Sequence, residues 1–545
     1  MRIDALKMTG GEALMRSVLA HGIDTVFGLP GGQTYGLFDA LARHQRPVEV
    51  INSRHEQGAA YMALGYAAST GRPGVFSVVP GPGVLNAGSA LVTAYATNSR
   101  VLCLAGQVPS RHINQGWGML HEIHDQLGIL KRLTKWAERI PNGSDAPEMV
   151  AEAFRQLHTG RALPVALEMP PDVMEGDCEA TLLEPASSYE ANKPDPDALK
   201  EAARILGAAR NPVIIAGPGA LDAGAELMRV AEMLQAPAAA SFNAKGVIDE
   251  RHYLGINLPV AHALWSKADA VLAVGTRFAE PELEWGLDDG LAVVRLEADD
   301  SAFKRGRAPS VALRADAGAG LTGLAEALES VNRKRDSRKK ELLGLKRRFH
   351  REFARNNAPQ VATLEVVREE LPEDGFLVDE VTQMAYTSWF AFPSYRARHF
   401  ISSNFQGNLG YGYPTALGVQ AAHRDRKVVA FAGDGGFLYA GAEMATAARH
   451  GLNVVVIVFS NDAYGNVRRD QAQRYSGRTL ASGLTNPDFK AMAESFGLGA
   501  WRARTPEALR VALREALAAN APGLIEMPVS EMPSPWPYLL LPRVR

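Results

Sequence analysis

Two short motifs carry the residue types that hold a phosphorylated ligand through a divalent metal. The apolar run 427–432 ends in Gly433-Asp434-Gly435-Gly436, and the run 453–459 leads into Asn461-Asp462-Ala463-Tyr464-Gly465. As strands of one parallel sheet they would open on the same edge, where ligands bind in α/β sheets. Glycines let the backbone approach a phosphate, and an Asp carboxylate with an Asn carbonyl are the hard oxygen ligands that Mg²⁺ takes when it also holds a diphosphate. Gly-Asp-Gly alone is a common turn. An Asn 27 residues beyond the Asp, followed by Tyr-Gly, makes the metal and diphosphate reading much the stronger one.

The elements that must position these residues are legible as alternating short β-branched runs and helical stretches, the pattern of parallel sheets covered by helices. Strands are expected at 26–27, 48–51, 75–79 and 101–105, then at 212–216, 270–275 and 292–296, and last at 376–381, 427–432, 453–459 and 523–527. Thr9-Gly-Gly-Glu12 reads as a capping box opening a helix. A Pro-, Ser- and acid-rich stretch between Gly176 and Ala198 reads as a linker, and the basic stretch 332–355 as an exposed connecting helix rather than a DNA-binding arm. The fold class is therefore α/β, with three domains of mostly parallel sheet covered by helices, at 1–178, 195–332 and 356–545. The stretches beginning at Arg72 and Arg426 both run from a strand into a Gly-x-Gly turn, a weak repeat that predicts two related domains flanking a third.

Composition narrows the function. Of 545 residues, 58 are Lys or Arg and 60 Asp or Glu, a net charge of −2 that gives no basic excess for nucleic acid. The two cysteines, Cys103 and Cys178, make neither a disulfide framework nor a CxxC motif, which points to a reducing, cytoplasmic setting. The longest apolar run is far shorter than the roughly 20 residues of a membrane span, and the start, Met1-Arg-Ile-Asp-Ala-Leu-Lys7, lacks an apolar signal core. A small-molecule substrate, with neither nucleic acid nor membrane as partner, is the expectation.

The spacing of Asp434 and Asn461 resembles the thiamine-diphosphate signature, and other stretches extend the likeness: Phe27-Gly-Leu-Pro-Gly-Gly32, Arg54-His-Glu-Gln-Gly-Ala59, Gly106-Gln-Val-Pro109, Gly407-Asn-Leu-Gly-Tyr-Gly-Tyr-Pro414 and Asn486-Pro-Asp-Phe489. In this order they are similar to the acetolactate synthase and benzaldehyde lyase group of thiamine-diphosphate enzymes, built from a pyrimidine-binding, a middle and a diphosphate-binding domain. The resemblance implies thiamine diphosphate with Mg²⁺, the metal held by Asp434, the Asn461 side chain and the Ala463 carbonyl. Gly433, Gly435, Tyr464 and Gly465 would frame the diphosphate. Glu56, otherwise a first-turn carboxylate complementing a helix dipole, would hydrogen-bond N1′ of the aminopyrimidine. Leu409 would hold the cofactor bent, and Gln383 is either a diphosphate contact or an exposed glutamine after a strand. Glu56 and Asp434 come from different domains, and the family's site forms between subunits, so a homodimer or homotetramer is implied.

Departures from the synthases bear on the reaction. Leu120-His121-Glu122 stands where they carry Phe-Gln-Glu, so by the resemblance His121 is either a general acid or base beside the substrate, a role a glutamine cannot take, or a structural histidine. Gln33, after Gly31-Gly32, occupies a position where some relatives carry an active-site polar residue. A His121-x-x-His124-Asp125 metal site lacks a third ligand. Asp470 stands where the synthases carry a tryptophan tied to acceptor choice, and Arg277-Phe-Ala-Glu-Pro281 replaces their Arg-Phe-Asp-Asp-Arg, which argues against FAD. Arg468 and Arg469 are either carboxylate binders or solvated loop arginines. The expected function is a C–C lyase or carboligase acting on 2-oxo acids or related ketones; a flavin-dependent oxidase and a diketone or hydroxyketone hydrolase or lyase on the same scaffold remain as alternatives.

Overall fold

The computed structural model describes residues 5–45, 48–189 and 192–545; Met1–Asp4 of the expected N-terminal segment and Glu190-Ala191 of the expected linker lie outside them. Among the described residues, no helix is long and apolar enough to cross a membrane. A two-stranded antiparallel clasp, β1 (Leu6–Thr9) with β8 (Asp177–Ala180), closes off the first unit.

Three parallel sheets of six strands follow one another. The first contains β2 (Thr25–Gly28), β3 (Glu49–Asn52), β4 (Gly74–Val78), β5 (Val101–Gly106), β6 (Trp136–Arg139) and β7 (Val165–Met169), in the order β3-β2-β4-β5-β7-β6. The second contains β9 (Pro212–Ala216), β10 (Ala238–Ala240), β11 (Gly255–Ile256), β12 (Ala270–Val274), β13 (Ala292–Glu297) and β14 (Val311–Arg314), in the order β11-β10-β9-β12-β13-β14. This is the dinucleotide-fold order, with its switch point between β9 and β12. The third contains β15 (Phe376–Val378), β16 (Phe400–Ile401), β17 (Val428–Gly433), β18 (Val454–Ser460), β19 (Gly499–Arg502) and β20 (Gly523–Pro528), in the order β16-β15-β17-β18-β20-β19. Sheets one and three thus share one strand order, as the weak repeat predicts.

Every strand expected from its β-branched run is present, because such runs suit a sheet buried on both faces. Strands that the sequence did not suggest are short or mixed in character: Trp-Ala-Glu-Arg in β6, Ala-Ala-Ala in β10, Gly-Ala-Trp-Arg in β19. Their pairing partners, not their own propensity, make them strands. The strand expected at 376–381 stops at Val378, because the next two residues turn their carboxyl groups into the protein. Gly435 lies in a helix, Asp434–Ala440, rather than in a turn. Of the capping box only half forms: Thr9 accepts the Glu12 N–H at 3.2 Å, while the Glu12 carboxylate pairs with Arg16 and lies 3.6 Å from Arg43. The basic connecting stretch is a helix, Lys339–Asn356, with only Leu342 and Phe353 buried.

Sheets one and three share one hydrophobic core. At its centre the helices Glu56–Thr70 and Gly412–Ala422 run antiparallel in close contact: a Cβ on Gly65 would fall 2.0 Å from the Thr415 carbonyl oxygen, and one on Gly418 1.9 Å from that of Met62. Larger residues there would push the two sheets apart.

Candidate functional site

The carboxyl edge of sheet one gathers one group of the expected residues. Glu56 is the first residue of its helix, directly after β3, and its Oε2 accepts the Asn86 side-chain N–H at 3.0 Å. The Gly31-Gly32-Gln33 turn follows β2, with Val79 Cγ1 2.3 Å from where a Gly31 Cβ would lie. The opposite methyl of Val79 approaches a Gly83 Cβ position at 2.8 Å, and the Glu56 Cγ lies 3.7 Å from the same point. Val79 therefore sits between the Gln33 turn and Glu56.

His121 reaches this edge from a loop of unusual backbone. Asn114, Gly116, Gly118, His121 and Asp125 all have positive φ, His121 at +65°. Non-glycine residues hold this conformation only where the surroundings enforce it. Here Glu122 accepts the N–H groups of Gly116 at 2.8 Å and Met119 at 3.0 Å. Behind the loop, Gln126 accepts the Gly81 N–H at 2.8 Å and donates to the Gly106 carbonyl and to fully buried Glu168, both at 2.9 Å. Arg139 pairs with Glu168 at 2.6 Å. The structure brings Gln33 and His121 together: Gln33 Oε1 and His121 Nδ1 are 3.0 Å apart, and Gln33 Nε2 donates to the Leu120 carbonyl at 2.8 Å. Asp125 caps the next helix through Gly128 N–H at 3.1 Å, and no metal-competent cluster of three or more His, Cys, Asp or Glu occurs among the described residues.

The carboxyl edge of sheet three gathers the second group. Asp434 is 3% exposed, and its two oxygens differ. Oδ2 accepts three N–H groups, from the Asn461 backbone at 3.0 Å, the Asp462 backbone at 2.8 Å and the Asn486 side chain at 2.9 Å. Among the described residues, Oδ1 accepts only the Gly435 N–H, at 2.9 Å, which leaves it capacity for a cation. Asp462 has φ +52°, and Ala463 bridges to Gly483, so the segment 482–484 clamps the loop that carries the Ala463 carbonyl. The Asn461 amide packs on Gly465, where a Cβ would fall 2.8 Å from its Nδ2; the Tyr464 ring covers Gly435 at 2.5 Å from the corresponding point. Asn486 Oδ1 is buried without a partner. A carboxylate oxygen, an amide oxygen and a backbone carbonyl gathered in one loop are a donor set that fits Mg²⁺.

Leu409 and Gln383 flank this group. Glu380 accepts the N–H of Gly410 at 2.9 Å and Gly412 at 3.0 Å, and Leu409 Cδ2 lies 3.6 Å from a Gly436 Cβ position. Gln383 begins the helix Gln383–Ala391 and its amide meets the Asn466 side chain, which also accepts from Arg469 at 3.2 Å. Burial pushes the carboxyls of Asp379, Glu380 and Glu443 up to about 7, the first against hydrogen bonds from Trp389 and Ser402.

Among the described residues, no hydrogen bond or ion pair joins Glu56 to Asp434 or Asn461. The turn that precedes Glu56 instead meets Glu443, nine residues past Asp434, through the His55 N–H at 3.1 Å. Asn86, Asn486 and Glu443 did not stand out as site residues in the sequence. Glu443 left one signal, a polar i, i+3, i+7 pattern with Thr446 and His450 in an otherwise small, apolar stretch.

A separate cavity of about 260 Å³ opens at the switch point of sheet two, lined in part by Gly219, Gly275, Glu297 and Asp316. Burial pushes the Glu297 carboxyl up to about 7, although the Thr276 N–H donates to it at 3.0 Å. Arg277 donates to the Ala96 carbonyl at 2.5 Å, tying the middle unit to the first.

Three family models match along the chain in the order of the sheets: the N-terminal TPP binding domain of thiamine pyrophosphate enzymes at residues 8–129, their central domain at 199–324, and their C-terminal TPP binding domain at 380–527. The chain is similar to a probable 2-ketoarginine decarboxylase of Pseudomonas aeruginosa, 33% identical over 532 residues that cover 95% of this chain and 94% of the relative. A probable acetolactate synthase large subunit of Methanocaldococcus jannaschii is 30% identical over 95% of this chain and 92% of its own length, and the large subunit of acetolactate synthase isozyme 1 of Escherichia coli is 28% identical over 98% and 96%. With TPP-binding models on both flanking units and the central model between them, the chain belongs to the thiamine-pyrophosphate-dependent enzymes, as a member of their 2-oxo acid decarboxylase and acetolactate synthase group.

Proposed function

We propose that this protein is a Mg²⁺-dependent decarboxylase of 2-oxo acids, in which His121 manages the proton that replaces CO₂, with ligation to an aldehyde as the competing outcome. The observation that carries the reading is the Gln33–His121 pair on the Glu56 edge. Thiamine diphosphate, when bound, supplies the electron sink for the carbanion left by loss of CO₂. Asp434 Oδ1, the Asn461 amide oxygen and the Ala463 carbonyl would hold the metal, with Gly433, Gly435, Tyr464, Gly465 and Gln383 around the diphosphate and Leu409 against the cofactor. Glu56 would hold a proton at the aminopyrimidine nitrogen. His121, with one ring nitrogen fixed by Gln33, would give or take a proton at the substrate oxygen or carbon. A proton donor there favours release of an aldehyde over capture of a second keto acid, in keeping with the decarboxylase name of one relative.

The same reading places each complete site between two chains, at least a homodimer, with unit boundaries at 1–178, 195–332 and 356–545. The placement of Glu56 and Asp434 on the edges of different sheets supports this, as do exposed apolar side chains beside each half: Leu85 and Leu120 near the first, Leu438 and Tyr439 near the second. The deciding experiment is CO₂ release from a panel of 2-oxo acids, branched, aromatic and guanidino-bearing, with thiamine diphosphate and Mg²⁺, with the products identified. Aldehyde formation from one of them is the expected result. Cofactor binding without CO₂ from any of them would sink the proposal in favour of cleavage of a preformed hydroxyketone or diketone.

A further inference from the structure

Glu443, Thr446 and His450 stand at i, i+3 and i+7, one face of a helical stretch, and all three grip the connection between β3 and the Glu56 helix. Glu443 is 1% exposed. Its Oε1 accepts the backbone N–H of Arg54 at 3.0 Å and of His55 at 3.1 Å; its Oε2 lies 3.1 Å from the Arg54 N and accepts from the Thr446 hydroxyl at 2.6 Å. That hydroxyl is also 3.3 Å from the Asn52 carbonyl, and His450 Nε2 is 2.9 Å from Asn52 Oδ1. A Cβ on Gly58 would fall 2.3 Å from Glu443 Oε1, so the first turn of the Glu56 helix rests directly on this carboxyl group. Among the described residues, Glu56 itself has a single side-chain hydrogen bond, from Asn86. Its direction is therefore set mainly by the backbone of Arg54 and His55, and that backbone is held from residues of the third unit almost 400 positions away.

We propose that Glu443 is a positioning residue for Glu56: by accepting the Arg54 and His55 N–H groups it fixes the turn from which the Glu56 carboxylate is aimed. This rests on the proposed role of Glu56 at the cofactor. Bonds from two successive N–H groups to one buried side chain fix a turn in both position and twist, and a small misplacement of an acid–base group is costly to rate while leaving binding energy elsewhere intact.

The test uses the full-length protein saturated with thiamine diphosphate and Mg²⁺, and measures hydrogen–deuterium exchange at C2 of the bound cofactor, its dissociation constant and the thermal midpoint. Glu443→Gln keeps the shape of the side chain but turns one acceptor into a donor; Glu443→Ala removes both acceptors. Expected is exchange slowed about tenfold or more in Glu443→Ala and a smaller loss in Glu443→Gln, whose amide oxygen can still accept both N–H groups, with cofactor affinity near that of the unaltered protein, because Asp434 and Asn461 are untouched. Exchange at the unaltered rate in a Glu443→Ala variant that binds cofactor overturns the proposal, and so does exchange falling only in step with affinity, the mark of a purely structural role. Glu56→Gln is run alongside. If it exchanges slowly while Glu443→Ala does not, the Glu443 link alone is wrong; if Glu56→Gln exchanges at the unaltered rate, the assignment of Glu56 fails.

Discussion

His121 Nδ1 lies 3.0 Å from Gln33 Oε1, and the other end of the same amide donates to the Leu120 carbonyl at 2.8 Å. Since the N–H end of the amide is committed to a carbonyl, Oε1 must accept, and Nδ1 must carry the hydrogen. Nε2 is then the nitrogen left to work, a base in the neutral ring and an acid in the charged one.

This relationship predicts a shift and a loss. Gln33→Glu puts a carboxylate against the imidazole, favours its charged form and should move the histidine limb of the kcat/KM pH profile upward, on the order of 1 unit. His121→Ala should remove that limb and lower kcat/KM by about 10²–10⁴-fold. Cofactor affinity should stay put in both, since neither residue touches the diphosphate group of residues. A pH profile indifferent to both changes would take His121 out of the proton path.

Gly465 and Gly435 make a second prediction that needs no catalytic assay. A methyl at Gly465 would meet the Asn461 Nδ2 at 2.8 Å, and one at Gly435 the Tyr464 ring at 2.5 Å. Gly465→Ala should therefore turn the Asn461 amide away and weaken Mg²⁺ and thiamine diphosphate binding together by about tenfold, roughly the loss of one good ligand contact. The first residue of an exposed helix tolerates alanine, so the thermal midpoint without cofactor should barely move. Titration by protein fluorescence, with and without a chelator, separates these effects; unaltered affinity would mean that Asn461 is not a ligand.

How much of this was legible in the sequence depended on whether a residue's role is local. Asp434, Asn461 and Gly465 lie in the first few residues after β17 and β18, so spacing alone placed them on one edge. Glu56 was singled out by the family resemblance that Arg54-His-Glu-Gln-Gly-Ala59 carries, since its place at a helix start alone suggests only a carboxylate complementing the dipole. Glu443 and Asn486 were not, because each acts on a partner far along the chain: Glu443 on Arg54 and His55, Asn486 on Asp434. Edge strands such as β6 and β19 were missed for a related reason, since their composition carries no β pattern and only the neighbouring strand makes them extended. Gln33 and His121 were each singled out, yet nothing in their spacing says that they touch.

Placement of Glu56 and Asp434 on the edges of different sheets predicts complementation. If each site takes Glu56 from one chain and Asp434 from another, Glu56→Gln and Asp434→Ala homodimers should both be inactive, while a mixed dimer carries one site with both groups intact. Co-expression with two affinity tags and sequential purification should return about half of the unaltered activity per dimer, on a simple count of sites. Mixed dimers as inactive as the parents would place both groups in a single chain's site and reject the shared-site arrangement.

Asp379 gives a prediction about stability and its sign. The carboxyl group is 1% exposed, accepts the Trp389 indole N–H at 2.7 Å, and stands beside buried Glu380. Burial raises it from 3.8 to about 7, so between those values the folded protein holds a proton that the unfolded chain has released. By linkage the slope of unfolding free energy with pH is then negative: the contribution is fully present below about 4 and is lost as pH rises through about 7. Asp379→Asn keeps an acceptor for the indole but cannot ionise. Its thermal midpoint relative to the unaltered protein should climb steadily from pH 4 to 7 and level off above, whatever its offset at low pH. Glu380 also sits at about 7 and is the charge that Asp379 feels, so Glu380→Gln should show the same trend, and the double variant less than the sum of the two, because removing either charge relieves the other. A constant difference in midpoint across this range would mean that Asp379 is ionised in the folded protein throughout, with the indole and the Ser402 hydroxyl outweighing its burial.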